Sequence, residues 1–245
     1  MTFVRFWTIL LSAQKNYLYE MNFLSHYYFD RNSTNPNLVL GTVLPDLVKN
    51  AHKDWNFYPQ KNEALFIADK QQHQLLQGWK RHLAVDAVFH SSVFFYTETA
   101  KLKQLLLPIL GDSPVRPSFL VHIGLELLLD HLLVTNRTIN TNAFYGHLEK
   151  VDDEVLLHFL QQCRCTDTDR FFGFFNSFKS SRYLLSYQKL ENISYALQRI
   201  CMRLWTHPFS ETTVALLTEQ LEVYKTILEK NYLSIFDDIE KRLKV

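Results

Sequence analysis

Two stretches of the chain repeat histidine and carboxylate side chains at a spacing of four. The first is His82-Leu-Ala-Val-Asp86-Ala-Val-Phe-His90 and the second His122-Ile-Gly-Leu-Glu126-Leu-Leu-Leu-Asp130. On an α-helix, positions i, i+4 and i+8 form one stripe, so each run presents three ligand-type groups on a single face. The intervening residues, Leu83, Val85, Val88 and Phe89 in the first run and mostly leucine in the second, are apolar. Such stripes therefore face an interior or a cleft. An ionised carboxylate is costly to bury unless it is paired or coordinates a metal. A single His-x-x-x-Asp pair is more often an ordinary hydrogen bond, and a buried histidine–carboxylate network that stiffens the core is the plain alternative. Two triple stripes in one chain point instead to a divalent ion held by mixed nitrogen and oxygen donors, as zinc, manganese or iron accept.

Upstream, His26 and Asp46 are natural additional ligands, since polynuclear sites in helical proteins collect donors from several helices. His52 and His73 are weaker candidates, and His147, His158 and His207 read as surface residues. His131 lies about 100° around the helix from Asp130 and so falls outside the second stripe. The sequence contains no G-x-S-x-G, no Walker-type GK[ST] and no G-x-G-x-x-G, which leaves metal-assisted chemistry as the reading.

These side chains must be positioned by helices. Glycine (6) and proline (7) are scarce, and apolar residues recur at three-to-four spacing over 98–110, 119–135, 151–163, 190–206 and 211–243, which predicts an all-α fold. Turn residues cluster at Asn32–Asn37, Asp54–Pro59, Gly111–Pro117 and Thr206–Pro208. None resembles an interdomain linker, and neither repeats nor low-complexity segments occur, so residues 21–245 read as a single helical domain behind an amino-terminal extension, 1–20. Hydrophobic residues make up 47% of the chain, enough for a sizeable core. Lys+Arg 26 against Asp+Glu 25 gives a net charge of +1, so the overall balance calls for no nucleic-acid partner.

The three cysteines, Cys163, Cys165 and Cys201, form neither a disulfide framework nor a C-x-x-C motif. The apolar run Phe6–Leu11 is at the lower limit for a signal-peptide core and lacks a small-x-small cleavage site. A cytoplasmic protein is expected. The stretch from Phe119 to Val134 is the most hydrophobic, but His122, Glu126, Asp130 and His131 within it argue for a buried core helix rather than a membrane span.

The chain resembles the acyl carrier protein phosphodiesterases in MNFLSHYYF from Met21, in LGTVLPDLVKN, in LLLDHLL, and in RYLLSYQKLENISYALQRICMRLW and LTEQLEVYKTILEKNYLSIF near its end. The resemblance implies a helical bundle akin to the HD-type phosphohydrolases and Mn²⁺-dependent removal of 4'-phosphopantetheine from the serine of holo acyl carrier protein. The matching positions are His26, Asp46, His82, Asp86 and Asp130. Where the family reads His-Arg-x-Ile-Asp-x-x-Thr-Asp, this chain lacks the Arg, with Leu83 in its place, and has His90 in place of the final Asp. With that change the order of ligands also resembles the zinc-dependent phospholipase C and nuclease fold, on the residues His26, Asp46, His82, Asp86, His90, His122 and Glu126.

Both resemblances imply metal-dependent phosphodiester hydrolysis. Asp46, His82, Asp86, His90, His122 and Asp130 are the expected ligands, with His26 or Glu126 orienting the water or protonating the leaving oxygen. Acyl carrier protein is acidic, so a basic patch should steer it. Arg170, Lys179, Arg182 and Lys189 lie in a stretch without acidic residues, which could equally be a solvated face. The interleaved Phe171, Phe172, Phe174, Phe175 and Phe178 are most simply core, or else line the entry to a pantetheine groove.

Overall fold

The structure, a computed structural model, describes residues 23–244 and is all-α, with no strand among the described residues. The expected extension, 1–20, lies outside them. In chain order the helices are α1 (Phe23–Tyr28), α2 (Pro36–Ala51), α3 (Lys70–His90), α4 (Val93–Leu110), α5 (Pro117–Thr135) and α6 (Thr141–Glu149). They continue as α7 (Asp153–Gln162), α8 (Thr168–Ser181), α9 (Leu190–Cys201), α10 (Glu211–Leu228) and α11 (Leu233–Leu243). Helix starts follow local chemistry. Asn35 accepts from the amides of Asn37 and Leu38 with Pro36 in the first turn of α2, and Ser92, Asn140, Asp167 and Ser210 cap α4, α6, α8 and α10 in the same way.

The pattern over 211–243 predicts one helix, whereas the structure has two. The break at 229–232 is held by tertiary bonds: Asn231 Nδ2 donates to Glu98 Oε1 at 3.3 Å, and the Tyr232 hydroxyl meets Thr138 Oγ1 at 3.0 Å. The segment expected as helical over 190–206 ends at Cys201 and continues as turns.

Contacts within this helical domain group the described residues into two units. One comprises 26–84 and 139–185, where α2 packs on α6 and α8; the other comprises 23–25, 85–138 and 186–244, where α5 packs on α4 and α9, and α10 on α4 and α9. One of the changes from unit to unit falls inside α3, between Ala84 and Val85, with no turn to mark it. Among the described residues α5 alone is long and apolar enough to cross a membrane, and 78% of that window is buried inside the protein.

In the first unit, α2 and α3 cross with their backbones in contact. A Cβ on Gly41 would stand 2.3 Å from the Leu75 carbonyl oxygen, and one on Gly78 would stand 2.3 Å from the Leu38 carbonyl oxygen. Only glycine permits that approach. It brings the stretch Thr42–Asp46 of α2 beside His82 of α3.

Candidate metal centre

His26, Asp46 and His82 converge in the first unit, all three buried, with one ligand atom from each within 4.8 Å of the others. His26 comes from α1 and stacks on His82 with ring centroids 3.8 Å apart. His82 Nδ1 donates to the Thr42 carbonyl at 2.9 Å. A carbonyl can only accept, so Nδ1 carries a proton and in the neutral ring the lone pair is on Nε2, which lies 3.7 Å from Asp46 Oδ1. Two acceptors face one another there, as ligands do around a cation, and the carbonyl behind the imidazole is the usual second partner of a metal-bound histidine.

Next to this cluster, Arg81 pairs with the buried Asp30, and Asp30 Oδ2 accepts from Thr42 Oγ1 at 2.8 Å. Burial raises the Asp30 carboxyl above its ordinary range, against the opposing charge of Arg81. The pair thus ties α3 to Thr42, the residue whose carbonyl sets the His82 tautomer.

His90, His122 and Glu126 converge in the second unit. His90 Nε2 is 3.0 Å from His122 Nε2 and 3.3 Å from Glu126 Oε1, and His122 Nε2 is 3.0 Å from the same oxygen. His90 Nδ1 donates to the Asp86 carbonyl at 3.0 Å, so in its neutral form this ring too has its lone pair on Nε2. One proton on His122 can serve only one of the two acceptors beside it. The three separations are close to the ~3.3 Å edge of a tetrahedron whose metal–ligand bonds are about 2.0 Å.

Burial pushes the Glu126 carboxyl up, but the hydrogen bonds and positive charge that His122 and His90 supply when protonated outweigh it and hold the group below its usual range. Glu126 Oε2 is buried with no hydrogen-bond partner, leaving a second oxygen of the same carboxylate for a ligand. The two histidine side chains keep 26% and 32% of their surface exposed, so this donor set opens to solvent while the first is sealed.

Of the expected site residues, the structure therefore brings together His26, Asp46 and His82, and separately His90, His122 and Glu126. Asp86 and Asp130 are in neither group. Asp86 is half-buried one turn before His90. Asp130 instead acts at the start of α1: its Oδ1 accepts from the Ser25 amide and hydroxyl, both at 2.7 Å, and its Oδ2 from the Leu24 amide at 3.2 Å. Burial raises the Asp130 carboxyl to about 7 against those hydrogen bonds. His131, placed outside the stripe by helical geometry, bonds the Tyr187 carbonyl at 2.6 Å. His52 follows the end of α2 and stacks on Trp55, while His73, His147, His158 and His207 belong to neither triad.

Three of the four basic residues make contacts within the chain. Arg170 Nε donates to the Ala51 carbonyl at the end of α2, Lys179 lies 4.3 Å over the Phe175 ring, and Arg182 pairs with Glu149 at 2.6 Å. Lys189 precedes α9. Phe171, Phe175 and Phe178 are fully buried core, and Phe172 and Phe174 are half-buried. Burial pushes the Cys163 and Cys201 thiols up to about 12, so neither offers a thiolate.

The stripes did not announce Thr42, Asp30, Arg81, Gly41 or Gly78. Five of the chain's six glycines stand inside helices, so the sequence alone does not single out the two at the crossing. No curated protein and no solved structure matches the chain. The model of the family described as acyl carrier protein phosphodiesterase matches residues 21–239, which include both triads and the helix that supplies a histidine to each. The chain belongs to the acyl carrier protein phosphodiesterase family.

Proposed function

We propose that this protein is a metal-dependent phosphodiesterase that removes 4'-phosphopantetheine from the serine of holo acyl carrier protein. The observation that carries the reading is the pair of two-histidine, one-carboxylate triads, in which backbone carbonyls hold His82 and His90 with their Nε2 lone pairs turned to the carboxylates. His26, Asp46 and His82 would hold one divalent ion, manganese or zinc, and His90, His122 and Glu126 another. A bound ion supplies Lewis acidity, lowering the pKa of a water and offsetting charge on the phosphoryl oxygens.

The chain's own residues prepare that chemistry. Thr42 and Asp86 fix the imidazole tautomers, and the hydrogen bonds at Glu126 keep it ionised. Their place in the triads favours ligand roles for His26 and Glu126 over carrying protons. Hydrolysis breaks the P–O bond to the serine, releasing apo carrier and 4'-phosphopantetheine.

The test is to strip the protein with chelator, restore Mn²⁺ or Zn²⁺, add holo acyl carrier protein and follow the carrier's intact mass. Conversion to the apo mass only with metal is the expected result. Persistence of the holo mass with metal bound would remove this substrate. A second reading would then lead: zinc-dependent cleavage of a lipid or nucleotide diester, favoured by the tetrahedral separations at His90, His122 and Glu126.

A further inference from the structure

A pocket of about 430 Å³ lies in the first unit, walled by the 56–66 segment and the end of α7. Its lining mixes aromatic faces, Phe57 and Tyr58, with three carboxamides, Asn56, Asn62 and Gln162, and one cation, Arg164. That volume suits a small organic group, and aromatic walls with a few placed polar groups are what such sites share. Gln162 donates through Nε2 to His158 at 3.0 Å, while its Oε1 is buried with no hydrogen-bond partner. An acceptor left in this way is stabilised by a ligand N–H.

The pocket lies in the same unit as the first triad, and the last turn of α2 touches its wall. Lys49 follows Asp46 by three residues and donates to Asn56 Oδ1 on the pocket wall. His52, just past the helix, stacks on Trp55, and Trp55 stacks on Phe57.

We propose that this pocket binds the pantetheine arm of the carrier, with Gln162 and Asn62 pairing its amides and Phe57 and Tyr58 packing its aliphatic stretches; the proposal rests on the reading of the reaction given above. Pantetheine is a thin chain of two amides separated by short aliphatic pieces, and the lining offers both carboxamides and apolar faces. At the mouth, Tyr58 and Leu65 are half-exposed, Lys61 lies 4.4 Å over the Tyr58 ring and Arg164 is exposed. An acidic carrier meets cations there.

The test uses the full chain and its Gln162→Leu and Asn62→Leu variants, neither of which touches the metal ligands. Calorimetric titration with pantetheine should give a measurable dissociation constant for the parent, weakened roughly ten-fold in each variant as one hydrogen bond is lost. With holo acyl carrier protein, KM should rise by about the same factor with kcat unchanged, the signature of binding shared by ground and transition states. No heat with pantetheine in the parent, or equal dissociation constants in all three proteins with circular dichroism confirming their fold, overturns the pocket assignment. If the parent leaves holo carrier intact, the reaction falls, and the pantetheine titration still decides the pocket by itself.

Discussion

His82 and His90 owe their suitability as ligands to two carbonyl oxygens, those of Thr42 and Asp86. Removing an imidazole from a triad should abolish metal affinity there without disturbing the helix, since alanine is the best helix former. His82→Ala is therefore expected to lower kcat/KM at least a hundred-fold while leaving the circular dichroism of the chain unchanged.

Asp130 gives a prediction of a different kind. Its carboxyl is raised to about 7 in the folded chain against about 3.9 unfolded. The folded state therefore binds more protons between about pH 4 and 7, and Asp130 makes stability fall as pH rises through that window. His131, whose pKa burial lowers, acts in the opposite sense up to about 6.5. The difference between wild type and Asp130→Asn isolates the aspartate. In metal-free protein, urea unfolding should show the wild type losing stability relative to the variant from pH 4 to 7. A difference independent of pH would contradict the assignment.

At this scale the sequence was informative where side chains alone decide. The spacing of His82, His90, His122 and Glu126 placed each on a helical stripe, and all four enter triads. Asp86 and Asp130 satisfy the same spacing and enter neither; Asp130 is taken up by a partner that spacing does not show, the amides of Leu24 and Ser25.

Among the elements, the crossing of α2 and α3 matters most for the first triad. At Gly41 and Gly78 an added methyl meets backbone oxygen at 2.3 Å, which no rotamer change relieves. Gly41→Ala and Gly78→Ala should each cost about 1–3 kcal/mol, read by urea unfolding. Each should also weaken metal at His82 by parting it from Asp46. An unchanged metal affinity in a destabilised variant would show that the crossing serves stability alone.

Arg170 belongs to this scale as well. Its bond to the Ala51 carbonyl satisfies one of the last acceptors of α2. Arg170→Ala is expected to destabilise the chain by about 1 kcal/mol, with little effect on carrier binding if capping is its main task.

The helices themselves were legible from period and caps, and α5 follows its pattern closely. The break between α10 and α11 was not, because the 211–243 stretch keeps its three-to-four period. Glu98 and Thr138, far away in sequence, bond the turn that interrupts it.

Over the whole molecule, an all-α fold followed from scarce glycine and proline and from the pervasive helical period. The two-unit division was hidden because the units are built from interleaved stretches of chain and one boundary runs through α3 rather than through a linker. The same helix supplies His82 to one triad and His90 to the other, so metal should stabilise the chain well beyond either site. Ligand that binds only the folded state adds RT ln(1 + [L]/Kd), about 4 kcal/mol at a thousand-fold excess over Kd. For a chain of this length, chelator should lower the melting temperature on the order of 10 °C, as scanning calorimetry would show.

The most direct test is the metal content of the full chain after equilibration with Mn²⁺ or Zn²⁺ and desalting, measured by elemental mass spectrometry for wild type, His82→Ala and His122→Ala. Bound metal in the wild type, with about one equivalent lost in each folded variant, is the expected result. A wild type that retains none, or variants that retain as much as the wild type, would contradict the assignment of these triads as the centre on which diester hydrolysis depends.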